Sequence, residues 1–256
     1  RDIFSMGARP IALMDPLRFG TLDDARTRFI VEGVVSGISG YGNAVGVPTV
    51  GGDVVFDPCY RGNPLVNVFC LGLLPQERLV LATAEGVGNL AVLLGASTGR
   101  DGIGGASVLA SAGFAEGSEA KRPSVQVGDP FEEKKLIEAC LQLLDENLAV
   151  GVQDLGAAGI CCATSETAAK AGNGMDVDIA RVARREPGMN AVEVMTSESQ
   201  ERMLAIVEPS NLDAVLALCA RWEVRATVIG RVTDTGRFRV YDGLFDADAG
   251  VAATLP

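Results

Sequence analysis

The residue that most invites a chemical reading is Asp154. It follows the short apolar run Leu148 to Val152, which has the composition of a buried strand, and precedes Gly156-Ala-Ala-Gly159, a turn almost without side chains. A helix is expected to start near Thr164-Ser165-Glu166. A carboxylate at the tip of a strand, beside backbone reduced to hydrogens and methyls, suits a cation held close to a phosphate. An aspartate that only closes a turn would account for the same residues.

Other polar residues carry paired readings of the same kind. The glycine-dense stretch from Thr98 to Ala106 offers backbone N–H groups that can surround an anion, or serves as a packed turn; it has no Lys-Ser/Thr of a P-loop and no G-x-G-x-x-G. Ser197-Glu198-Ser199-Gln200 has the spacing of a helix capping box, and it equally suits a polar turn that faces a ligand. Gln126 sits between two valines as an edge residue or a donor to a ligand. Arg1-Asp2 pairs a guanidinium with a carboxylate, which suits a phosphate beside a metal or an ordinary surface ion pair.

Composition narrows the chemistry. The 256 residues contain no histidine, which removes histidine-based nucleophile systems and the common zinc sites, and leaves hard oxygen sites for Mg²⁺ or Mn²⁺. A net charge of −11 argues against nucleic acid or an anionic membrane as partner. No apolar run reaches the roughly 18 residues of a membrane helix. The six cysteines form no C-x-x-C pair and lie mostly among apolar residues, as expected of reduced thiols in the cytoplasm.

The elements that must position these residues alternate between strand and helix, so the expected class is mixed α/β. Pro10 to Met14 reads as a strand. Thr21 reads as the cap of a helix that carries a core-type face of Leu22, Ala25, Phe29, Ile30, Val34 and Ile38 and ends at Gly40-Tyr-Gly-Asn43. That face, with the run Leu65 to Leu74, is expected to expose apolar surface, because the upstream strands that should cover it are absent. Two short strands flank Gly51-Gly-Asp53, and Leu65 to Leu74 is a strong strand. Pro75 to Arg78 marks a domain boundary. Beyond it come strands at 79–81 and 90–94, a charged loop at 113–123, and a helix with Asp129 as cap and Pro130 at its first position. Met203 to Val207 reads as a strand, Leu212 to Trp222 as an amphipathic helix, and 227–241 as a hairpin.

Seven stretches taken together resemble one family: Arg1 to Pro10, Gly46 to Gly52, Asn63 to Asn67, Thr98 to Ile103, Gln126 to Pro130, Gln153 to Gly159 and Ser197 to Met203. In order and over nearly the whole chain they are similar to the synthetase (large) subunit of phosphoribosylformylglycinamidine synthase. The resemblance implies an aminoimidazole-ribonucleotide-synthetase-like fold: residues 1–75 as the closing part of a first A domain, 76–245 as a B domain, and 246–256 as a tail. It implies that Arg1, Gln126, Glu198, Ser199 and Gln200 bind substrate and that Asp2 and Asp154 hold Mg²⁺, with ATP as a substrate. Asp53 stands where the family often has glutamate.

The activity so implied is a cytoplasmic carbon–nitrogen ligase of purine biosynthesis. Formylglycinamide ribonucleotide, ATP and ammonia from glutamine would give formylglycinamidine ribonucleotide, ADP and phosphate. Its partners would be a glutaminase subunit, a small accessory subunit and the other domains of the same polypeptide, without nucleic acid or membrane. The family's catalytic histidines would precede Arg1, so no catalytic residue is assigned here and the isolated chain is expected to be inactive. Two alternatives stand beside this: another ATP-using member of the same superfamily, or a non-catalytic fragment that binds substrate or partner domains.

Overall fold

The structure, a computed structural model, describes residues 1–104 and 126–243. The loop expected at 113–123, the last residues of the glycine-dense stretch and the tail at 246–256 lie outside the described residues.

A six-stranded sheet forms the frame of the larger part, with strand order β12-β9-β11-β7-β10-β8. Its strands are β7 (Leu90–Gly95), β8 (Gly151–Asp154), β9 (Gly174–Asp178), β10 (Arg202–Val207), β11 (Ala226–Thr233) and β12 (Phe238–Tyr241). All pairings are antiparallel except β12 with β9. The hairpin expected at 227–241 is therefore absent: β9 separates β11 from β12, and both pair with it instead of with each other.

Both faces of the sheet are covered, which is why its central strands are apolar without interruption. On one face Val92, Leu94, Met203, Ala205 and Val207 pack on Leu136, Cys140 and Leu143 of α3 (Pro130–Asp145) and on Val215, Leu218 and Cys219 of α6 (Leu212–Arg221). Phe4, Val45 and Val47 join this cluster, so the first 75 residues share the core of the rest. The other face sets Ala91, Leu93, Leu204, Ile206, Met175 and Val177 against Ile160, Ala163 and Ala168 of α4 (Gly159–Lys170) and Val194 and Met195 of α5 (Ala191–Thr196).

The first 75 residues form α1 (Asp2–Ser5), β1 (Arg9–Met14), β2 (Leu17–Phe19), α2 (Ala25–Val45), β3 (Thr49–Gly51), β4 (Val54–Phe56), β5 (Leu65–Val66) and β6 (Phe69–Leu73). These strands make two small sheets, β3-β1-β6 and β4-β2-β5. Here the apolar surface expected to lie exposed is exposed. In α2 only Thr27 and Val45 are buried, while Phe29 is 76% exposed. Val54, Val55, Phe56, Leu65, Val66, Phe69, Leu71 and Leu73 are exposed as well. The α2 face is covered only in part: Ile30, Val34, Ile38 and Tyr41 are half-buried, and Tyr41 packs on the core cluster. The cap of α2 also differs: Asp24 accepts from Thr27 N at 2.9 Å, and the helix runs past Gly40 and Gly42 to Gly46, whose left-handed φ of +76° ends it.

Candidate functional site

Two neighbouring strand ends build the site. β8 and β10 run antiparallel with Met203 opposite Asp154, so the end of one strand lies beside the start of the other. After Asp154 the chain turns sharply, with Ala158 and Gly159 both left-handed at φ +56° and +49°. That reversal starts α4 at Gly159, five residues before the position expected from Thr164. Thr164 is no cap: it is buried, and its hydroxyl bonds back to Ile160 O at 2.5 Å, which satisfies it within the helix. Gly156 leaves room beside the carboxylate, since a Cβ there would lie 3.1 Å from Asp154 Oδ2.

The stretch 197–200 is the exit from a helix. The capping box lies earlier, in Asn190 and Glu193, and Ser197 is the C-cap of α5. From there the residues alternate in direction. Ser197 and Ser199 turn inward: Ser197 Oγ donates to Gly99 O at 2.6 Å, Gly99 N donates to Ser199 Oγ at 2.9 Å, and Ser199 Oγ also bonds Asp101. Glu198 and Gln200 turn the other way, to Gln126. Gln126 Nε2 donates to Glu198 Oε2 at 2.6 Å, and Gln200 Nε2 donates to Gln126 Oε1 at 2.8 Å. Three residues far apart in sequence thus form one hydrogen-bonded cluster. Glu198 Oε1 also accepts from Ala158 N at 3.3 Å, which ties the cluster to the turn after Asp154.

The glycine-dense loop is a wall of this cluster and has few N–H groups to offer an anion. Thr98 N, Gly99 N and Arg100 N donate to Ala183 O, Ser199 Oγ and Glu186 Oε1. Arg100 is fixed in turn by Glu186 and Glu193. Gly102, at φ +62°, lets the loop approach, because a Cβ there would lie 2.5 Å from Glu198 Cβ and 3.1 Å from Gln126 Cγ.

On the other side of the turn the N-terminal segment brings in Arg1 and Asp2. Arg1 Nη1 donates to Leu155 O at 3.2 Å, and Asp2 lies close enough for its charge to act on Asp154. Burial and then the Asp2 charge push the Asp154 carboxyl above its usual range, against the opposing pull of Arg1. Two neighbouring carboxylates are the hard oxygen donors that would suit a divalent cation such as Mg²⁺. Among the described residues no group of three or more such side chains forms a complete cage, so any further ligands would be phosphate or water oxygens.

Residues not singled out by spacing complete the surroundings. Arg202 is fully buried, and burial, reinforced by Arg1 and Arg185, holds its guanidinium below the ordinary arginine range. Arg185 pairs with Asp101. Glu201, at φ +55°, accepts from Tyr41 Oη at 2.9 Å, and burial pushes its carboxyl up to about 6. Only a sequence pattern for strained backbone would have marked Glu201, and its residue type gives none.

Comparison with known proteins agrees with this frame. The AIR synthase related protein C-terminal domain matches residues 86–243, and the N-terminal domain of the same name matches residues 1–74. The phosphoribosylformylglycinamidine synthase subunit PurL of Thermobifida fusca is 60% identical over 234 residues, covering 91% of this chain and 31% of its own length. T. maritima PurL complexed with FGAR superposes with a TM-score of 0.86 at 41% identity, over 95% of this chain and 39% of that one. T. maritima PurL complexed with ATP gives 0.80 at 38% identity, over 94% and 37%. The chain spans about a third of the length of the curated relatives it matches. With a domain match over more than half of its residues and kin of this kind, the chain belongs to the AIR synthase related protein family, and within it is similar to PurL.

Proposed function

We propose that this chain is part of an ATP-dependent ligase that converts formylglycinamide ribonucleotide, ATP and ammonia to formylglycinamidine ribonucleotide, ADP and phosphate. Residues 1–75 would close a first domain, 76–245 would form a second, and 246–256 a tail. The observation that carries the reading is the Gln126–Glu198–Gln200 cluster beside the Asp2–Asp154 pair, in a chain 60% identical to PurL.

The chemistry accounts for the parts. An amide carbonyl is a poor electrophile, and phosphorylation of its oxygen gives an iminophosphate that ammonia displaces. Such transfers depend on positioning and on charge neutralisation. Gln126 and Gln200 present amides, and Glu198 a carboxylate, that match the amide and hydroxyl groups of the substrate. Ser199 holds the turn through Gly99 and Asp101. Arg1 supplies a cation for a phosphate. Asp2 and Asp154 would hold Mg²⁺, whose charge when bound offsets that of the nucleotide phosphates. With no histidine, the chain is read as supplying binding and orientation, and on the same reading the glutaminase and the small accessory subunit are other parts of the assembly.

The test is turnover. With ammonia and Mg²⁺, the full-length polypeptide should release ADP in proportion to added formylglycinamide ribonucleotide, and Asp154→Asn should lower that rate. ADP release independent of this substrate would contradict the reading.

A further inference from the structure

Arg202 is 0% exposed, yet its guanidinium is bound by neutral oxygens. Nε donates to Ser199 O at 2.9 Å, Nη2 to Ser197 O at 2.6 Å, and Nη1 to Thr98 Oγ1 at 2.8 Å. A buried cation is ordinarily paired with a carboxylate, because desolvation is costly. Here every donor that is placed instead grips the backbone of the 197–200 turn or the loop beside it. One rigid planar fork that holds the carbonyls of residues i and i+2 fixes the backbone between them. That intervening residue is Glu198.

We propose that Arg202 is a positioning residue for substrate: it holds the 197–200 turn so that Glu198 and Gln200 face Gln126. The proposal rests on the reading of that turn as a substrate-binding element. Three features of the geometry favour positioning over simple core support. The two carbonyls lie on the inward side of the turn, and the Glu198 and Gln200 side chains on the other, where they bond Gln126. The same guanidinium reaches Thr98, at the base of the loop whose Gly102 packs on Glu198 and Gln126. Gly159, which begins α4, comes so close to Ser197 O that a Cβ there would overlap it, so the turn after Asp154 is braced on the carbonyl that Arg202 holds. One side chain therefore sets the relative placement of three segments that line the site.

A lysine at this position keeps the charge but has a single nitrogen, which cannot span Ser197 O, Ser199 O and Thr98 Oγ1 in the geometry of a fork. An apolar side chain leaves all three acceptors buried and unbonded. The experiment uses Arg202→Lys and Arg202→Met in the full-length polypeptide, with Trp222→Phe as a control. That control loses the Trp222 Nε1 to Gln142 Oε1 bond of 2.8 Å on the far helices and touches nothing at the site. Steady-state kinetics at a temperature where all variants are folded should show kcat/KM for formylglycinamide ribonucleotide reduced about 100-fold in Arg202→Met, mainly through KM. Arg202→Lys should be intermediate, and the control unchanged. Equal KM values in wild type and folded Arg202→Met would overturn the proposal, as would a loss of thermal stability with no change in KM.

A crystal structure of Arg202→Lys separates this inference from the proposed reaction. If the Gln126–Glu198 and Gln200–Gln126 bonds are lost, Arg202 positions the turn whatever the substrate. If both persist unchanged, the positioning role is refuted even in an active enzyme. If the wild type fails to turn over this substrate while the bonds break in Arg202→Lys, it is the proposed reaction that fails.

Discussion

Replacing Gly159 by alanine should cost far more than an ordinary glycine substitution. Gly159 begins α4 at φ +49°, and a Cβ there would overlap Ser197 O. The left-handed conformation alone costs about 1–2 kcal/mol in a residue with a side chain. Displacing the Ser197 carbonyl also weakens its 2.6 Å bond from the buried Arg202, and a hydrogen bond to a charged group is worth about 1.5–3 kcal/mol. The sum is about 2.5–5 kcal/mol, which for a protein of this size lowers Tm by about 5–20 °C. Gly172→Ala is the control: its φ is +69°, but no atom lies within 4 Å of the added methyl, so it carries the strain without the overlap. Thermal unfolding followed by circular dichroism on the two variants and the wild type makes the comparison. A Gly159→Ala Tm within about 2 °C of the wild type, or equal to that of Gly172→Ala, would refute the reasoning.

Further outcomes follow from other parts of the structure. The Glu201 carboxyl is raised to about 6 by burial, so folding favours its protonated form. The stability it supports is full below its unfolded value near 4.5 and is lost as pH rises through about 6; Glu201→Gln, which still accepts from Tyr41, should flatten that pH dependence in denaturant titrations. The exposed Phe29, Val55, Phe69 and Leu73 predict that the 256-residue chain binds a hydrophobic dye and self-associates as concentration rises, and sedimentation showing a strict monomer without dye binding would count against it. Thiol labelling of the native chain should reach exposed Cys59 at once and buried Cys140 and Cys219 only after unfolding, because burial also pushes the latter two thiols up.

What was legible in the sequence depended on how local the signal is. The strands at Arg9–Met14, Leu90–Gly95 and Arg202–Val207 and the helix capped by Asp129 could be read from continuous apolar runs and a cap–proline pair, because burial and capping act on neighbouring residues. Periodicity in α2 marks an apolar face, and the exposure expected of the first 75 residues is what the structure has, with Phe29 76% exposed. The start of α4 was misplaced because Thr164 resembles a cap, while the true start rests on two left-handed residues that carry no side-chain signal. Ser197 and Gln200 had the spacing of a capping box, but tertiary bonds to Gly99 and Gln126 claim them. The resemblance singled out Gln126, Glu198 and Gln200, and the structure brings them together. Arg202 escaped notice, because a basic residue at the head of an apolar strand resembles a surface charge until its neutral partners are seen.

The most direct test of the candidate site is the affinity of formylglycinamide ribonucleotide for the full-length polypeptide and for its Gln126→Ala variant. Isothermal titration calorimetry with Mg²⁺ and a non-hydrolysable ATP analogue would measure both. Gln126 bonds both Glu198 and Gln200, so its removal frees the two side chains opposite and, on the proposed reading, would also lose a contact with substrate. A loss of about 2–3 kcal/mol is expected, equivalent to a Kd about 30–150-fold weaker, with the fold intact by circular dichroism. Equal affinity in the two proteins would contradict the assignment of this cluster as the substrate site.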